Sequence, residues 1–415
     1  MRRSRTLIAC STAMALALSA CATDTPTDDA PGDDGTDPVS QGEEAPDDEG
    51  GDDATAVDDA FFDQADFERQ LAQRDIDPEG DPGEPWLQAL EPEMTDVSEF
   101  EGGGDRTLCF SNASVSNPWR VTGFITMEEQ VEVLQEAGEI GEFRVSDAAD
   151  DDNQQISDIE AFIESGDCDA MIISPSTTAT LTPAVQAACD SGMPVIVFDR
   201  GVDTDCATTF IHPIGGYAYG ADGAEFLVDN LDEGAQVLAL RILPGVDVLE
   251  NRWAAAERIF ADSGIEVVGA EFTGGDAAAI KDLVTQYLQR GPVDGIWMDA
   301  GDGAVAAVEA FEDTGNDYPV MVGEDELGFL RKWQETEMTA IGPVYSNFQW
   351  RTPVLAAQQI WAGEEVPKEW VLPQEPITDA DLGDFLERNS EMPALHYAKF
   401  GGEDLPTYPG PGQDR

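Results

Sequence analysis

The chain has 415 residues, enough for two or three domains and a sizeable hydrophobic core, so a single small disulfide-stabilised scaffold is excluded. Its 85 Asp and Glu residues face only 21 Lys and Arg residues, which gives a formal net charge of −64 at pH 7. A surface of this charge repels phosphate groups, so nucleic acid is excluded as a partner.

The first 21 residues have the layout of a lipoprotein signal peptide. Three arginines, at positions 2, 3 and 5, precede an apolar stretch over 7–18 that is too short to be a convincing membrane span. The sequence Leu18-Ser19-Ala20-Cys21 then resembles the bacterial lipobox, whose cysteine is acylated. A plain secreted protein with an incidental cysteine is the alternative. We therefore expect lipidation at Cys21 and a location on the outer face of the cell membrane.

Residues 22–105 are predicted to form an acidic, disordered tether. They carry 29 acidic residues against two arginines, Arg69 and Arg74, so the segment repels itself, and its apolar content is too low for a core. Within it Phe61, Phe62, Phe67 and Leu71 have the spacing of one short helix face. Residues 106–415 are also acidic, with 56 acids against 16 bases, which points to a salt-rich setting where counterions screen the repulsion.

From residue 106 onward, short apolar runs alternate with helical periodicity. Strands are predicted at 107–111, 143–146, 170–174 and 194–199. After His212 the pattern restarts, with strands at 236–242, 265–272, 293–299, 319–325 and 340–347. The helices of this second series are predicted at 220–231, 252–263, 277–290, 304–314 and 327–333. Apolar strands separated by helices indicate parallel sheets covered on both faces, so the two series predict an α/β fold with two doubly wound lobes.

Four cysteines remain beyond the signal peptide and lipobox: Cys109, Cys168, Cys189 and Cys206. They form no CxxC motif, and His212 and His396 are the only histidines, so no metal site is expected. Export permits disulfides. Cys168 precedes one predicted strand and Cys189 ends the next helix, so both should lie at the same end of the sheet. A Cys168–Cys189 disulfide is therefore favoured, with free buried cysteines as the alternative.

Open parallel sheets bind ligands at the carboxyl ends of their strands, so the polar residues at those ends are the candidate ligand contacts. Those assigned as ligand contacts are Asn117, Ser174, Asp199, Arg200, Arg252, Asp299, Asp325, Ser346 and Asn347, and the same strand ends also carry Ser111, Asn112, Ser176, Asp302 and Glu324. Carboxylates, amides and arginines make paired hydrogen bonds to vicinal hydroxyls. Aromatic residues lie nearby, and of these Trp119 is interpreted as a cleft residue and Trp297 as core. The set fits a sugar or polyol better than an amino acid.

Each assignment has an alternative. The pair Asp199-Arg200 could be an ordinary salt bridge at a strand end, and Trp119 could belong to the core. Arg252 opens the predicted helix 252–263, where the macrodipole disfavours a cation, so another interaction must hold it there. Helix packing alone is the alternative for this arginine.

Several segments occur in the order and spacing of one known family: Asn117-Pro118-Trp119-Arg120, Asp158-Ile159-Glu160, Ser174-Pro175-Ser176, Pro194 through Asp199-Arg200, Asn251-Arg252-Trp253 and Gly323-Glu324-Asp325. Over about residues 106–380 the chain resembles the ribose-binding-protein-like type I periplasmic binding proteins, the monosaccharide-binding lipoproteins of ABC importers. The resemblance implies sugar contacts at Asn117, Trp119, Asp199, Arg200, Arg252 and Asp325, with Arg120 beside them. It also implies one at Ser346 or Asn347. Ser174, Ala300 and Glu324 depart from the family pattern, so the particular sugar stays open.

The resemblance further implies two lobes joined by a three-segment hinge, which shut on the ligand. The crossings are expected near His212-Pro213, Tyr345-Ser346 and 372–375. The predicted organisation is a signal peptide (1–21), a tether (22–105), lobe 1 (106–213 with 346–373), lobe 2 (214–345 with 374–390) and a C-terminal tail (391–415).

The sequence as a whole predicts a monomeric, extracytoplasmic solute-binding lipoprotein that delivers a monosaccharide or polyol to an ABC permease, with no cofactor. A sugar-sensing module that presents its ligand to a membrane receptor is the alternative. A glycoside-processing enzyme is a remote one. Glu324-Asp325, or Asp299 with Asp302, could be imagined as its carboxylate pair. Adjacent strand residues point to opposite faces, however, and two histidines leave no Ser-His-Asp set, so no catalytic residue is assigned.

Overall fold

The computed structural model describes residues 61–406. The predicted signal peptide with Cys21, residues 22–60 of the predicted tether and residues 407–415 lie outside the described residues. Within 61–406, every helix is too short or too polar to cross a membrane.

The first half of the described chain contains, in order, α1 (Gln64–Gln73), β1 (Met94–Thr95), β2 (Thr107–Asn112), α2 (Pro118–Glu136), β3 (Glu142–Asp147), α3 (Asp152–Ser165), β4 (Ala170–Ser174), α4 (Thr178–Asp190), β5 (Val195–Phe198) and β6 (Thr209–Pro213). The second half contains α5 (Gly216–Asn230), β7 (Gln236–Arg241), α6 (Asp247–Ser263), β8 (Glu266–Phe272), α7 (Ala277–Arg290), β9 (Gly295–Met298), α8 (Ala304–Thr314), β10 (Val320–Val322), α9 (Leu327–Thr336), β11 (Ala340–Ile341), α10 (Thr352–Ala362), β12 (Val366–Pro367), β13 (Glu369–Leu372) and α11 (Asp379–Arg388).

Eleven of the described strands form two parallel sheets, and β1 and β12 form a separate antiparallel pair. One has six strands in the order β13-β6-β5-β4-β2-β3, and the other has five in the order β11-β10-β9-β7-β8. Alternate residues of each strand enter cores on opposite faces: in β4, Met171 and Ile173 pack with α3 and α4, whereas Ile172 packs with α2 and α10. Helices therefore cover both faces, and the predicted doubly wound α/β fold is confirmed.

The chain passes between the two sheets three times. It leaves β6 of the six-stranded sheet for α5, which packs on β9 and β10. It returns after β11 and leaves again after β13 for α11, which packs on α9. These passages coincide with the three expected crossings. The carboxyl ends of the strands of both sheets border one cleft. In open parallel sheets, ligands bind at this edge of the sheet.

Two element boundaries differ from the predictions in a way that affects the site. Helix α6 begins at Asp247, so Arg252 lies in its second turn and does not open the helix. The strand predicted at 340–347 ends at Ile341 and is followed by an extended stretch and a single 3₁₀ turn at Asn347–Trp350. Gly342 and Pro343 explain the early end, because proline lacks the N–H that a strand ladder needs and glycine packs no side chain.

The prediction of disorder through residue 105 is wrong for residues 61–105. Helix α1 is capped by Asp63, whose side chain accepts from the Asp66 amide, and β1 pairs antiparallel with β12. Trp86, Leu90 and Val97 are buried on the body. The average charge of the segment conceals these apolar residues, which are few but spaced to contact the body, while the acidic side chains face outward.

The sequence leaves open whether the C-terminal tail packs on the body, and in the structure residues 391–406 do so. The Leu327 amide donates to the His396 carbonyl at 2.8 Å, on the side of the five-stranded sheet, and the Phe348 amide donates to the Lys399 carbonyl at 3.1 Å. Tyr397 and Phe400 are buried. This segment thereby reaches from α9 to the turn before α10 and lies beside the cleft.

Two disulfides are present in the described part of the chain, Cys109–Cys168 and Cys189–Cys206, and the predicted Cys168–Cys189 pair is wrong. Cys109 lies in β2, which is next to β4 in the sheet. Cys168, just before β4, is therefore close enough to bond to it, with a Cα–Cα separation of 5.7 Å. Cys189 at the end of α4 pairs with Cys206 in the loop before β6, with Cα atoms 6.0 Å apart. All four cysteines belong to one core region, but Cys168 pairs there with Cys109 and Cys189 pairs with Cys206.

The two disulfides are expected to stabilise the protein unequally. Cross-linking a longer loop removes more entropy from the unfolded chain, and the bridged residues are 59 apart in one disulfide and 17 apart in the other. The variant Cys109→Ser/Cys168→Ser should lose about 4 kcal/mol of unfolding free energy, and Cys189→Ser/Cys206→Ser about 3 kcal/mol. Denaturant unfolding measures both, and peptide mapping without reductant checks the pairing. Recovery of a Cys168–Cys189 peptide would contradict the assignment.

Candidate functional site

A cavity of about 100 Å³ lies in the cleft between the carboxyl edges of the two sheets. The six-stranded sheet contributes the start of α2 and the residues after β5, and the five-stranded sheet contributes α6 and the residues after β9 and β10. Tyr345 from the second crossing and Tyr397 from the C-terminal segment complete the wall. The space is larger than one water molecule needs and is lined mainly by polar and aromatic groups.

Asp199 and two arginines form the charged part of the first wall. Asp199 directly follows β5 with a φ of 70°, a left-handed conformation that Asp tolerates better than most residues. Its carboxylate accepts a hydrogen bond of 2.7 Å from Nη2 of Arg120, and both side chains are buried. Among the described residues the buried Nη1 of Arg120 has no partner. This donor faces a lined cavity, so a bound ligand could satisfy it.

Arg200 lies next to this pair and is held differently. Its Nη1 donates to the Ser176 carbonyl at 2.6 Å. Burial, together with the positive charge of Arg120, lowers the pKa of the Arg200 guanidinium, while Asp199 opposes that change. An arginine in this position stays charged and presents several donors in a fixed plane, which suits paired hydrogen bonds to hydroxyls.

Asn117 and Trp119 are fixed at the start of α2. Asn117 caps the helix by accepting from the Arg120 amide at 2.9 Å, so its carbonyl oxygen is occupied although the residue lines the cavity. Trp119 donates from Nε1 to the Tyr345 carbonyl at 2.9 Å and is 9% exposed. The indole is thereby locked with its ring beside the cavity, and the interpretation of Trp119 as a cleft residue is consistent with this placement.

Arg252 is the main cation of the second wall. Its guanidinium carbon lies 3.9 Å from the ring centroid of Tyr219 and 4.8 Å from that of Tyr345. It also donates to the Asp299 carbonyl oxygen. Within residues 61–406 its buried Nε has no partner. The two tyrosine faces, rather than a helix terminus, hold the arginine at the cavity, since a cation over an aromatic ring is attracted by the ring quadrupole.

Two carboxyl groups of the same wall have raised pKa values. Burial raises the pKa of Glu324 to about 8, with the charge of Arg252 acting against that change. Burial also raises the pKa of Asp302 to about 6. Glu324 accepts from the Gly301 amide at 2.8 Å. Near neutral pH a protonated fraction of Glu324 can therefore donate a hydrogen bond as well as accept one, which is what a hydroxyl ligand requires.

Five predicted site residues do not line the cavity: Ser174, Asp299, Asp325, Ser346 and Asn347. Asp299 accepts from the Ile242 amide at 2.9 Å, and Asp325 accepts from the Lys399 amide at 2.7 Å. Both carboxylates therefore fix loops of the wall. Burial raises the pKa of Asp299 to about 7 and that of Asp325 to about 6.

The other three lie in or behind the crossings. Ser346 donates to the Pro373 carbonyl at 2.9 Å and so joins two crossings. Asn347 donates to the Trp119 carbonyl at 2.7 Å and so orients that residue. Ser174 is fully buried at the end of β4, and its hydroxyl has no partner among the described residues. Ser346 and Asn347 position the wall, and all three residues lie outside the cavity lining.

Among the polar and aromatic lining residues, four lie outside the set assigned as ligand contacts: Asp302 and Glu324, which are strand-end residues in the sequence, and Tyr345 and Tyr397. Glu324 and Asp325 are adjacent, and the resemblance favours Asp325, but the Lys399 amide engages Asp325 and leaves Glu324 facing the cavity. Tyr345 is visible in the sequence as an aromatic residue near the second crossing. Tyr397 lies in a segment predicted to be a tail, so no sequence signal identifies it.

Glu324 gives a prediction about pH and stability. The folded-state pKa of about 8 lies above the ordinary value of 4.5, so the folded chain binds a proton that the unfolded chain has lost. The corresponding stability is fully present below about pH 4.5 and is lost as the pH rises through 8. Glu324→Gln should therefore flatten the fall in unfolding free energy between pH 5.5 and 7.5 by about 1 kcal/mol per pH unit. Denaturant unfolding across this range measures the slope, and equal slopes in both proteins would contradict the prediction.

Comparison with known proteins gives a family and several relatives. The family model described as the periplasmic binding protein domain matches residues 108–365. Ribose import binding protein RbsB of Bacillus subtilis is 25% identical over 279 residues, which cover 67% of this chain and 88% of that protein.

Solved structures show the same fold. An ABC transporter solute binding protein from Thermobispora bispora superposes with a TM-score of 0.63 at 21% identity and covers 74% of this chain and 96% of that one. A solute binding protein from Bacillus halodurans with bound myo-inositol superposes with a TM-score of 0.60 at 23% identity and covers 68% and 98%.

Proposed function

The chain belongs to the periplasmic binding protein domain family, and from this premise we propose that it captures a monosaccharide or polyol in the cleft and delivers it to an ABC permease. The observation that carries the proposal is the composition of the 100 Å³ cavity. Three arginines and three carboxyl groups surround it together with Trp119, Tyr345 and Tyr397. Such groups form charge-assisted hydrogen bonds to neighbouring hydroxyls and offer rings against the C–H faces of a sugar.

Charged groups of both signs, together with a mostly protonated Glu324, favour a ligand that carries several hydroxyl groups. Arg120 and Arg200 face Asp199 on one side, and Arg252 faces Glu324 and Asp302 on the other. An amino acid would need one position for its carboxylate and a separate one for its ammonium group. In this cavity each wall carries both arginines and carboxyl groups. Nη1 of Arg120 and Nε of Arg252 have no partner within the described part of the chain, and they suit hydroxyl oxygens, which accept and donate at once.

Import rather than turnover is the proposed role. The family consists of binding proteins, and the relative from Bacillus subtilis is named for ribose import. The family also places the folded part outside the cytoplasm. We propose in addition that Cys21 carries the lipid anchor, that the protein acts as a monomer and that the lobes comprise 106–213 with 346–373 and 214–345 with 374–390.

Closure of the cleft around the ligand follows from the geometry of the cavity. Its lining comes from both sheets, so only a state in which both walls approach the ligand makes all the contacts. A ligand that binds the closed state more tightly shifts the population toward it. The three crossings, with Ser346 joined to Pro373, are where the backbone would turn.

A thermal-shift panel tests the proposal. The chain without its first 21 residues is incubated with pentoses, hexoses, polyols and amino acids, in low and high salt. A ligand at 100 times its Kd adds about 2.7 kcal/mol of stability, which raises the melting temperature by a few degrees. We expect a sugar or polyol to produce this shift. A shift with amino acids and with none of the sugars would leave the fold intact and overturn the ligand class.

A further inference from the structure

A second cavity, of about 260 Å³, adjoins the cleft. The two cavities share five lining residues: Asp199, Arg200, Val246, Val248 and Tyr345. The outer wall of the second cavity is formed by α1, which contributes Asp66, Arg69 and Gln70. Helix α1 precedes the region 108–365 that the family model matches, so this wall is an addition to the family domain.

Helix α1 is firmly attached, so the second cavity is formed before any ligand arrives. Phe62 and Phe67 pack on Tyr217 of α5 with ring centroids 5.6 and 5.8 Å away. Arg74, in the cap of α1, donates to Asp222 at 2.7 Å and to Glu225 at 2.9 Å. These contacts hold α1 on the helices of the five-stranded sheet, while Arg69 reaches to 3.8 Å from Glu369 on the edge of the other sheet.

The chemistry of the second cavity repeats that of the cleft. Arg69 pairs with Asp66 and lies near Glu369, whose Oε1 is 3.1 Å from Nε2 of His212. The side chains of Arg69 and Glu369 are 42% and 53% exposed, so both can change partners. Phe210, Ile214 and Val246 supply an apolar floor between the polar groups. Four acidic residues and two arginines line this space, which disfavours an anion and suits a hydroxylated ring that accepts and donates hydrogen bonds.

We infer that this cavity is a second subsite, completed by α1, which takes a further hydroxylated unit joined to the sugar held in the cleft. The inference rests on the proposed function. It assigns a disaccharide or a glycoside of similar length as the preferred ligand. Three observations support it: the two cavities share five lining residues, the second cavity is larger than the one in the cleft, and α1 adds a polar wall to it.

Calorimetric titration of the full chain tests the inference. The probes are D-ribose, D-glucose, D-galactose and myo-inositol, and the disaccharides maltose, lactose, sucrose and trehalose. We expect a disaccharide to bind at least tenfold more tightly than its constituent monosaccharides. Arg69→Ala should weaken that disaccharide about tenfold and change monosaccharide affinity less than twofold. Glu68→Ala is the matched control, because Glu68 is an exposed residue of the same helix that bonds only to Gln64 among the contacts described for it and does not line the cavity.

The outcomes separate the inference from the proposal on which it rests. Binding of monosaccharides with no disaccharide tighter than its constituents overturns the second subsite and leaves the proposed function standing. An Arg69→Ala chain that binds the disaccharide as tightly as the unsubstituted chain also overturns the subsite. Failure of every sugar in the panel, of either size, overturns both.

Discussion

Replacing Arg252 with alanine is expected to weaken sugar binding at least a hundredfold. The guanidinium is held between the rings of Tyr219 and Tyr345, and its buried Nε has no partner among residues 61–406. Hydrogen bonds to charged groups contribute about 1.5–3 kcal/mol each, so the loss of two raises Kd by roughly two orders of magnitude or more. Calorimetric titration of the sugar that responds in the thermal-shift panel measures the change.

Two further variants separate charge from general packing. Arg252→Lys keeps a positive charge but loses the planar pair of donors, so an intermediate loss of about tenfold is expected. Arg290→Ala is the matched control, since Arg290 also stacks on a tyrosine, Tyr287, with its guanidinium 5.1 Å from the ring centroid, but lies outside the cavity. Affinity should be unchanged in this control. An Arg252→Ala protein that binds sugar as tightly as the Arg290→Ala protein would remove Arg252 from the site.

Replacing Asp199 with alanine is expected to cost both stability and binding. The carboxylate is the buried partner of Arg120, so its removal leaves a buried cation without compensation, which costs about 3–5 kcal/mol. Alanine also tolerates the φ of 70° poorly. Asp199→Asn keeps a side chain that adopts this conformation and accepts a hydrogen bond, so it should recover part of the stability. Denaturant unfolding and sugar titration of both variants measure the two effects.

A second Asp–Arg pair in the same sheet region provides the control. Asp167 pairs with Arg144 at 2.8 Å, but these side chains are 56% and 38% exposed. Asp167→Ala should therefore change the unfolding free energy far less than Asp199→Ala and leave sugar binding unchanged. If Asp199→Ala and Asp167→Ala lost equal stability, burial of the Arg120–Asp199 pair would not be what makes Asp199 important.

The sequence was sufficient to predict most strands and helices between residues 107 and 341, because the relevant signals are local, but it did not give β6 or the elements that follow β11. Apolar runs such as Val195–Phe198 identify buried strands, and the spacing of apolar residues over Ala277–Arg290 gives a helix with the bounds that the structure has. Since the carboxyl ends of parallel strands lie at one edge of a sheet, the parallel direction of the strands is enough to place the cleft. Asp199, Arg200 and Arg252 could be found in this way.

The remaining features depend on contacts between segments distant in the chain. Tyr397 reaches the cavity only because residues 391–406 pack between the two halves, and nothing near Tyr397 in the sequence indicates this. The choice between Glu324 and Asp325 is decided by the Lys399 amide, 74 residues away. The ordering of residues 61–105 depends on a few apolar residues, such as Trp86 and Val97, that a strongly acidic composition conceals.

The disulfides illustrate the same limit on a smaller scale. Sequence order places Cys168 and Cys189 at the same end of the sheet. It does not show that β2 lies beside β4, which puts Cys109 within reach of Cys168. Pairing of cysteines depends on the lateral order of strands, and that order is a property of the assembled sheet.

A crystal structure determined with the sugar that gives the largest thermal shift tests the central claim most directly. We expect the sugar in the cavity between the two sheets, with hydroxyls bonded to Arg252, Asp199 and Nη1 of Arg120, which has no partner within residues 61–406, and with Trp119 beside the ring. A sugar bound elsewhere on the chain, with this cavity empty, would contradict it.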